Sequence, residues 1–175
     1  KLEPSSAIVS RSETATLERT MSVKPIPDGY HTATPYLIAK GAADAIEFYK
    51  KAFGAIELMR VPGPAGAVMH AEIEIGDSII MLADEFPDME ALSPTTIGGS
   101  PVGLMLYLPN VDEVFARAIA AGGKEFRAVQ NQFYGDRSGT LTDPFGHKWT
   151  VATHVEDVSP EEIERRLAAM KPEGS

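Results

Sequence analysis

The sequence contains no cysteine, and this absence removes several classes of site at once. A disulfide framework, thiolate-bound zinc or iron–sulfur centres and a cysteine nucleophile are all excluded. Positive charge is scarce, because 16 Lys and Arg stand against 25 Asp and Glu, for a formal net charge of −9. An acidic surface argues against binding phosphate backbones or anionic lipid. We therefore expect no nucleic-acid partner and no membrane partner.

Long apolar runs are also lacking. None approaches the roughly 18–20 residues that a membrane-spanning helix needs, and the opening KLEPSSAIVS has no signal-peptide core. These features predict a cytoplasmic protein that handles a small molecule. A length of 175 residues is typical of one domain. Residues 1–28, rich in Ser, Thr and charge, are predicted to form a loosely ordered extension, and residues 29–175 the domain.

The order of predicted elements occurs twice within the domain. Residues 33–84 and 102–154 each show a strand, an amphipathic helix and then three strands, and a polar loop is predicted between them over 84–101. The first helix is predicted over Ala42–Phe53, and a further helix over 159–170. In the third strand, predicted over Val68–Ile75, apolar Met69, Ala71, Ile73 and Ile75 alternate with polar residues. The pattern predicts an α+β fold in which two βαβββ units form a curved mixed sheet. That sheet is a half-barrel cleft with the helices on its outer face.

Two short stretches carry a family resemblance. FYKKAFG ends the first predicted helix and DPFGHKW leads the last strand. With the element order, they resemble the vicinal oxygen chelate superfamily of glyoxalases, bleomycin-resistance proteins and extradiol dioxygenases. The sequence looks most like a mostly uncharacterised bacterial, glyoxalase/bleomycin-resistance-like branch. The resemblance implies a homodimer.

The resemblance also implies four cleft positions that hold the metal in metal-using members. Carried onto this sequence, they fall at Thr34, about Ile80, about Gly103 and Thr150. None of these side chains is the imidazole or carboxylate that a divalent first-row ion prefers. We therefore expect no cofactor, with a divalent metal kept as the alternative.

Strand alternation predicts which other residues line the cleft. If Thr34, Gly103 and Thr150 face inward, so do the residues two and four positions along each strand. Beside them, Tyr134 and Arg137 precede or begin a strand near the cleft. The ligand-binding candidates are Thr34, Tyr36, His70, Glu72, Ile80, Gly103, Met105, Tyr107, Tyr134, Arg137, Thr150 and His154.

Among these candidates, His70 and Glu72 stand out because they lie two apart on one strand and share a face. A carboxylate beside an imidazole can tune a general base, so both are catalytic candidates. The pair could also belong to a metal site away from the family's usual positions, with His154 as a further ligand. Alternatively, the two residues could simply form a solvated polar wall of the cleft. Arg137 could hold a ligand oxygen or form an ion pair with Asp136 or Asp143.

The sequence favours a binding protein that holds a small, apolar or aromatic molecule in the cleft without metal. The alternative is a metal-assisted lyase, isomerase or dioxygenase that uses His70 and Glu72. A third reading is metal-free acid–base catalysis at the same pair. The sequence leaves open whether the protein is an enzyme and which ligand it binds.

Overall fold

The computed structural model describes residues 23–170. Most of the predicted N-terminal extension, residues 1–22, therefore lies outside the described residues, as does the tail 171–175. Residues 23–35 run without a regular helix or strand and are mostly exposed. No helix within the described range is long and apolar enough to cross a membrane.

The described chain confirms the repeated order of elements and the α+β fold. Unit one contains β1 (Tyr36–Ala39), α1 (Ala42–Phe53), β2 (Ile56–Pro62), β3 (Val68–Ile75) and β4 (Ser78–Asp84). A connection with one short helix, α2 (Pro94–Ile97), leads to unit two. Unit two contains β5 (Gly103–Tyr107), α3 (Val111–Ala120), β6 (Lys124–Asn131), β7 (Asp136–Thr142) and β8 (Lys148–His154), and α4 (Pro160–Met170) follows.

Each unit forms its own four-stranded mixed sheet. The strand orders are β1-β4-β3-β2 and β5-β8-β7-β6, so the two sheets share one topology. In both, the first strand pairs parallel to the last and the other pairs are antiparallel. The curved surface predicted from the sequence is thus made of two open sheets, each hydrogen-bonded within its own unit.

The last strand of each unit caps the helix of that unit. Asp84 at the end of β4 accepts hydrogen bonds from the backbone N–H groups of Gly41 and Ala42, where α1 begins. Thr153 near the end of β8 accepts one from the N–H of Val111, the first residue of α3. These contacts satisfy helix N–H groups that have no partner inside the helix.

The two units share a single apolar core. Ala45, Phe48, Tyr49, Ala52 and Phe53 recur at helical spacing on α1 and are all buried. Tyr49 and Phe53 pack on Trp149 of β8, with ring centroids 5.2 and 4.9 Å apart. The buried Asp143 carboxylate accepts from the Tyr49 hydroxyl (2.8 Å) and the Trp149 indole (2.9 Å). Helix α1 therefore joins the units as well as covering its own sheet.

Three sequence expectations differ from the structure. The first strand begins at Tyr36 instead of 33, because Pro35 lacks the N–H that a ladder needs. Val68 is buried and Met69 is 39% exposed, because an irregularity in the β2–β3 pairing between Val61 and Pro62 breaks the alternation. The connection between units, predicted to be a polar loop, contains α2 and places apolar side chains between the units.

Candidate functional site

Strand pairing shows which side chains share the cleft face of unit one. Tyr36 lies beside Met81, and Met81 lies opposite Glu72. The core contains the alternate residues of the same strands, Leu37, Leu82 and Ala71. The inward orientation predicted for Tyr36, His70 and Glu72 is therefore confirmed. Thr34 precedes β1 and lies with Met81 beneath the N-terminal segment.

The inward position predicted for Ile80 is wrong. Ile80 pairs with Ile73, is 3% exposed and belongs to the core under the helices. Met81 takes the cleft position instead. The strand SIIMLAD is apolar on both faces, so its sequence carries no alternation from which to read an orientation.

The cleft face of unit two follows the same register. Met105 lies beside Thr150, and Thr150 lies opposite Thr140 with their hydroxyl oxygens 3.0 Å apart. Gly103 and Tyr107 flank Met105 on the same face, as predicted. Met105 and Tyr107 are 45% and 60% exposed, so both are open to a ligand.

Three side chains of unit one and Tyr30 of the N-terminal segment form a continuous hydrogen-bonded chain. The Tyr30 hydroxyl donates to Glu72 Oε2, and Glu72 Oε1 lies 3.3 Å from His70 Nε2. His70 Nδ1 lies 3.1 Å from the hydroxyl of Tyr36. The hydrogen bond to Glu72 raises the pKa of Tyr30, with smaller contributions from burial and from the carboxylate charge. The predicted His70–Glu72 pair is therefore extended by a tyrosine at each end.

A second polar cluster lies at the rim of unit two, around the buried carboxylate of Asp136. The Asp136 carboxylate accepts a hydrogen bond of 2.8 Å from the Tyr107 hydroxyl, and its other oxygen lies 2.8 Å from Nδ1 of His154. Nε2 of His154 lies 3.0 Å from Asp157. Hydrogen bonds to Asp136 and then Asp157 raise the pKa of His154, and the bond to Asp136 raises that of Tyr107. His154 is thus held in its own acidic cluster.

Arg137 does not reach the cleft. Its guanidinium binds both carboxylate oxygens of Asp112, at 2.8 and 2.6 Å, where α3 begins. The structural ion pair considered from the sequence is present, but its partner is Asp112 rather than Asp136 or Asp143. The contact is bidentate and occupies the face that carries the helices. Tyr134 lies in the turn before β7 and packs edge-on against Phe133.

A cavity of about 270 Å³ lies where the edge of β1 meets β5 and the connection between the units. Its wall is largely apolar and includes Tyr36, Ile38, Leu92, Ile97, Leu104 and His147. No wall residue in the described part of the chain is Lys, Arg, Asp or Glu. Nε2 of His147 lies 3.1 Å from the Ile38 carbonyl oxygen, so that imidazole ties the two units together. The cavity suits a small neutral molecule.

The side chains at the four metal positions implied by the family resemblance do not fit a divalent ion. After the correction at β4 they are Thr34, Met81, Gly103 and Thr150, which offer two hydroxyls and a thioether. Within residues 23–170, no three His, Cys, Asp or Glu side chains are grouped as a metal site requires. The structure does not bring His154 to His70 and Glu72.

Sequence reasoning missed several residues of this region. Tyr30 is 42 positions from Glu72, so no local pattern could pair them. Leu92 and Ile97 lie in a segment rich in Ser, Thr and Gly, where isolated apolar residues give no periodic signal. The Ser93-Pro94 pair could have indicated the short helix α2, since a serine followed by proline is typical of a helix start.

Comparison with known proteins agrees with this architecture. The model of the Glyoxalase/Bleomycin resistance protein/Dioxygenase superfamily matches residues 30–151. The uncharacterised protein Rv0887c of Mycobacterium tuberculosis is 43% identical over 144 residues, which cover 81% of this chain and 83% of that protein. The solved structure of the Arabidopsis thaliana gene product At5g48480 is 27% identical, with a TM-score of 0.56, and covers 70% of this chain and 98% of that one.

A solved glyoxalase/bleomycin resistance protein/dioxygenase from Nocardioides is 20% identical, with a TM-score of 0.56, and covers 85% of this chain and 97% of that one. At that identity the likeness concerns the fold, and it agrees with the repeated βαβββ units. The family match, the identity to the mycobacterial protein and the duplicated sheets together show that this chain belongs to the glyoxalase/bleomycin resistance protein/dioxygenase superfamily.

Proposed function

We propose that this protein binds a small, neutral, largely apolar molecule in the cavity between its two units, without a metal ion. The observation that carries the proposal is the wall of that cavity, which combines apolar side chains from both units with no charged group. Its volume of about 270 Å³ is close to the lower end of ligand pockets, about 300 Å³. The ligand is accordingly small.

The donor chemistry of the cleft supports metal independence. Met81 and Thr150 are poor ligands for divalent ions, and Thr34 and Gly103 add only one hydroxyl. The metal-assisted lyase, isomerase or dioxygenase that would use His70 and Glu72 stays the alternative. A metal there would need further ligands from water, a substrate or a second copy of the chain.

A fluorescence titration with N-phenyl-1-naphthylamine, a neutral aromatic probe, tests the proposal. We expect saturable binding that is the same with and without EDTA. Ile38→Trp should abolish binding by filling the cavity, whereas Ile56→Trp should bind normally. Ile56 is the matched control, since it lies on β2 of the same sheet and is 60% exposed. Binding that EDTA removes, or that survives Ile38→Trp, would overturn the proposal.

We also propose that two copies associate, and the support is an exposed apolar edge. Strand β2 is the outer strand of its sheet, and Ile56, Leu58, Met59 and Val61 on it are 40–60% exposed. An open, apolar sheet edge favours pairing with another chain. Light scattering at micromolar concentration should give a dimer mass, and a monomer mass would contradict this assignment. A cytoplasmic location and the absence of a nucleic-acid partner stay predictions.

A further inference from the structure

Three cationic side chains lie together at one end of unit two's sheet. Thr140 is on the cleft face of β7, so Thr142, two positions along the same strand, is on that face too. Thr142 pairs with Lys148 of β8 on one side and with Lys124 of β6 on the other. Thr140 pairs with Arg127 of β6. Since paired residues share a face, the three cations form one surface, here called the basic face.

An irregularity in the β6–β7 pairing adds an aromatic ring to the basic face. Glu125 and Arg127 pair with consecutive residues of β7, so Phe126 between them is the extra residue of a β-bulge. The Phe126 side chain is 52% exposed, and Nζ of Lys148 lies 4.2 Å from the centre of its ring. The bulge therefore turns this ring toward the cations and leaves half of it open to a ligand.

The basic face lacks counter-charges. Within residues 23–170, none of its three cations forms an ion pair. Glu125 is a neighbour in sequence, but it pairs with the core residue Leu141, so its side chain is on the helix face. In a chain with a net charge of −9, such a local excess of positive charge favours an anion at this place.

The scaffold itself does not need cations here. The equivalent positions of unit one, found from the same register, are Ile56, Met59 and Ile79, and all three are apolar. Glu74 takes the place of Thr142 between two of them. Because unit one folds to the same topology without positive charge at these positions, the cations of unit two are free to serve binding.

An open cavity of about 500 Å³ adjoins the basic face. Thr142 and Lys148 line one side of it, and Thr95, Gly99 and Ser100 of the connection between the units line another. Lys148 is the one charged residue of this wall in the part of the chain that the structure describes. The volume is within the range of ligand pockets, about 300–1,000 Å³, so a ring fits beside an anionic group.

We propose that the basic face binds a small aromatic molecule that carries an anionic group. The anionic group lies between Lys148 and Lys124, where the Thr142 hydroxyl can also donate a hydrogen bond. The ring of the ligand packs against Phe126, and Arg127 adds a further positive charge. This site is separate from the cavity between the units and does not depend on the function proposed for that cavity.

A fluorescence titration with 8-anilinonaphthalene-1-sulfonate tests the proposal. This probe has the rings of N-phenyl-1-naphthylamine and an added sulfonate, so the two probes differ in charge. We expect saturable binding of the sulfonate by the wild-type protein. Benzoate should displace it, whereas benzamide, which has the same ring without the charge, should not. Binding should persist in Ile38→Trp, which fills the other cavity.

Single substitutions on the basic face sharpen the test. Lys148→Met and Arg127→Met should each weaken sulfonate binding by about fivefold, the upper range for one exposed charge contact. Neither residue lines the cavity between the units, so the affinity for N-phenyl-1-naphthylamine should stay the same. Lys51→Met is the matched control, because it removes an exposed lysine on α1. Its sulfonate affinity should equal that of the wild type.

The outcomes separate this site from the proposed function. The anion site would be overturned by loss of sulfonate binding in Ile38→Trp, by displacement with benzamide, or by equal affinities of Lys148→Met and Lys51→Met. A protein that binds N-phenyl-1-naphthylamine but not the sulfonate would also overturn it and would leave the proposed function standing. The reverse result would overturn the proposed function alone.

Discussion

The two units place different chemistry at equivalent positions of the same sheet. In unit one, Met81 lies between Tyr36 on β1 and Glu72 on β3. In unit two, Thr150 occupies the place of Met81, between Met105 on β5 and Thr140 on β7. The central cleft face is therefore titratable in unit one and neutral in unit two.

The difference shows which parts of the repeated unit are structural. Both units keep the strand order, the parallel first-to-last pairing and a side chain on the last strand that caps the helix, Asp84 in one and Thr153 in the other. What differs is the cleft face, where side chains are free of the core and can change without loss of packing. The two halves thus share a scaffold and differ in their chemistry.

The largest effect is expected at the turns before the last strands. Asp143 accepts hydrogen bonds from Tyr49, Trp149 and two backbone N–H groups. Asp143→Ala should lower the free energy of unfolding by about 3–5 kcal/mol, because buried donors lose their partner. Urea unfolding measures this.

The corresponding turn of unit one supplies the control. Among the described residues, the Asp77 carboxylate accepts a hydrogen bond only from the exposed hydroxyl of its neighbour, Ser78. Asp77→Ala should therefore change stability by no more than about 0.5 kcal/mol. Equal losses for the two variants would mean that Asp143 does not join the units.

Removing the side chain that caps the helix should also lower the free energy of unfolding by different amounts in the two units, and this difference is smaller than the one expected for the turns. The Asp84 carboxylate accepts three backbone hydrogen bonds, from Gly41, Ala42 and Val68. Asp84→Ala should cost about 2–3 kcal/mol, since charged acceptors form the stronger bonds. Thr153→Ala should cost about 1 kcal/mol, a typical value for a neutral cap. Urea unfolding of both variants gives the comparison, and a larger loss for Thr153→Ala would reverse this ranking.

A pH effect is expected from the rim of unit two. Asp136 and Asp157 raise the pKa of His154 above its ordinary value of 6.5. The folded state therefore holds this proton more tightly than the unfolded state does. The contribution of His154 to the free energy of unfolding is therefore complete below pH 6.5 and is lost as the pH rises through the raised pKa.

Urea midpoints measured from pH 6 upwards should fall in the wild type more than in His154→Gln, which has no imidazole to titrate. Solvent exposure keeps the difference small, since 53% of the His154 side chain is accessible. Parallel curves for the two proteins would show that Asp136 and Asp157 do not stabilise the imidazolium.

The smallest effect is expected at Arg137, whose ion pair with Asp112 is largely exposed. Arg137→Met should leave the affinity for N-phenyl-1-naphthylamine unchanged, because the residue lies on the helix face of its sheet. Stability should fall only slightly. A large loss of probe binding would mean that Arg137 contacts the ligand, which would contradict its position on the helix face of the sheet.

The accuracy of the sequence-based predictions follows from local patterning. Helix α1 was predicted with the bounds that the structure shows, because one apolar stripe ends at a glycine in the left-handed conformation, Gly54 with φ 73°. Strand β3 was predicted with the right bounds because it alternates. The orientation of β4 was wrong by one residue at Ile80, because a strand apolar on both faces has no alternation to read.

Strand alternation predicted which side chains each strand turns toward the cleft, including Tyr36 and the pair His70 and Glu72. It could not predict their partners on other segments. Tyr30, Leu92 and Ile97 come from outside the strands, and only folding brings Tyr30 to Glu72, the Tyr36 hydroxyl to His70 and the two apolar residues to the cavity. Asp112 likewise became the partner of Arg137 through the packing of α3 on its sheet.

Local periodicity and turn residues thus determined the duplicated βαβββ order, the two helix stripes and the pairing of His70 with Glu72, because each depends on neighbours within a few positions. The tertiary structure alone decided which tyrosines complete the chain around His70, how Asp143 joins the units, and that an uncharged cavity opens between them. These features depend on contacts between residues far apart in sequence, and no local pattern encodes such contacts.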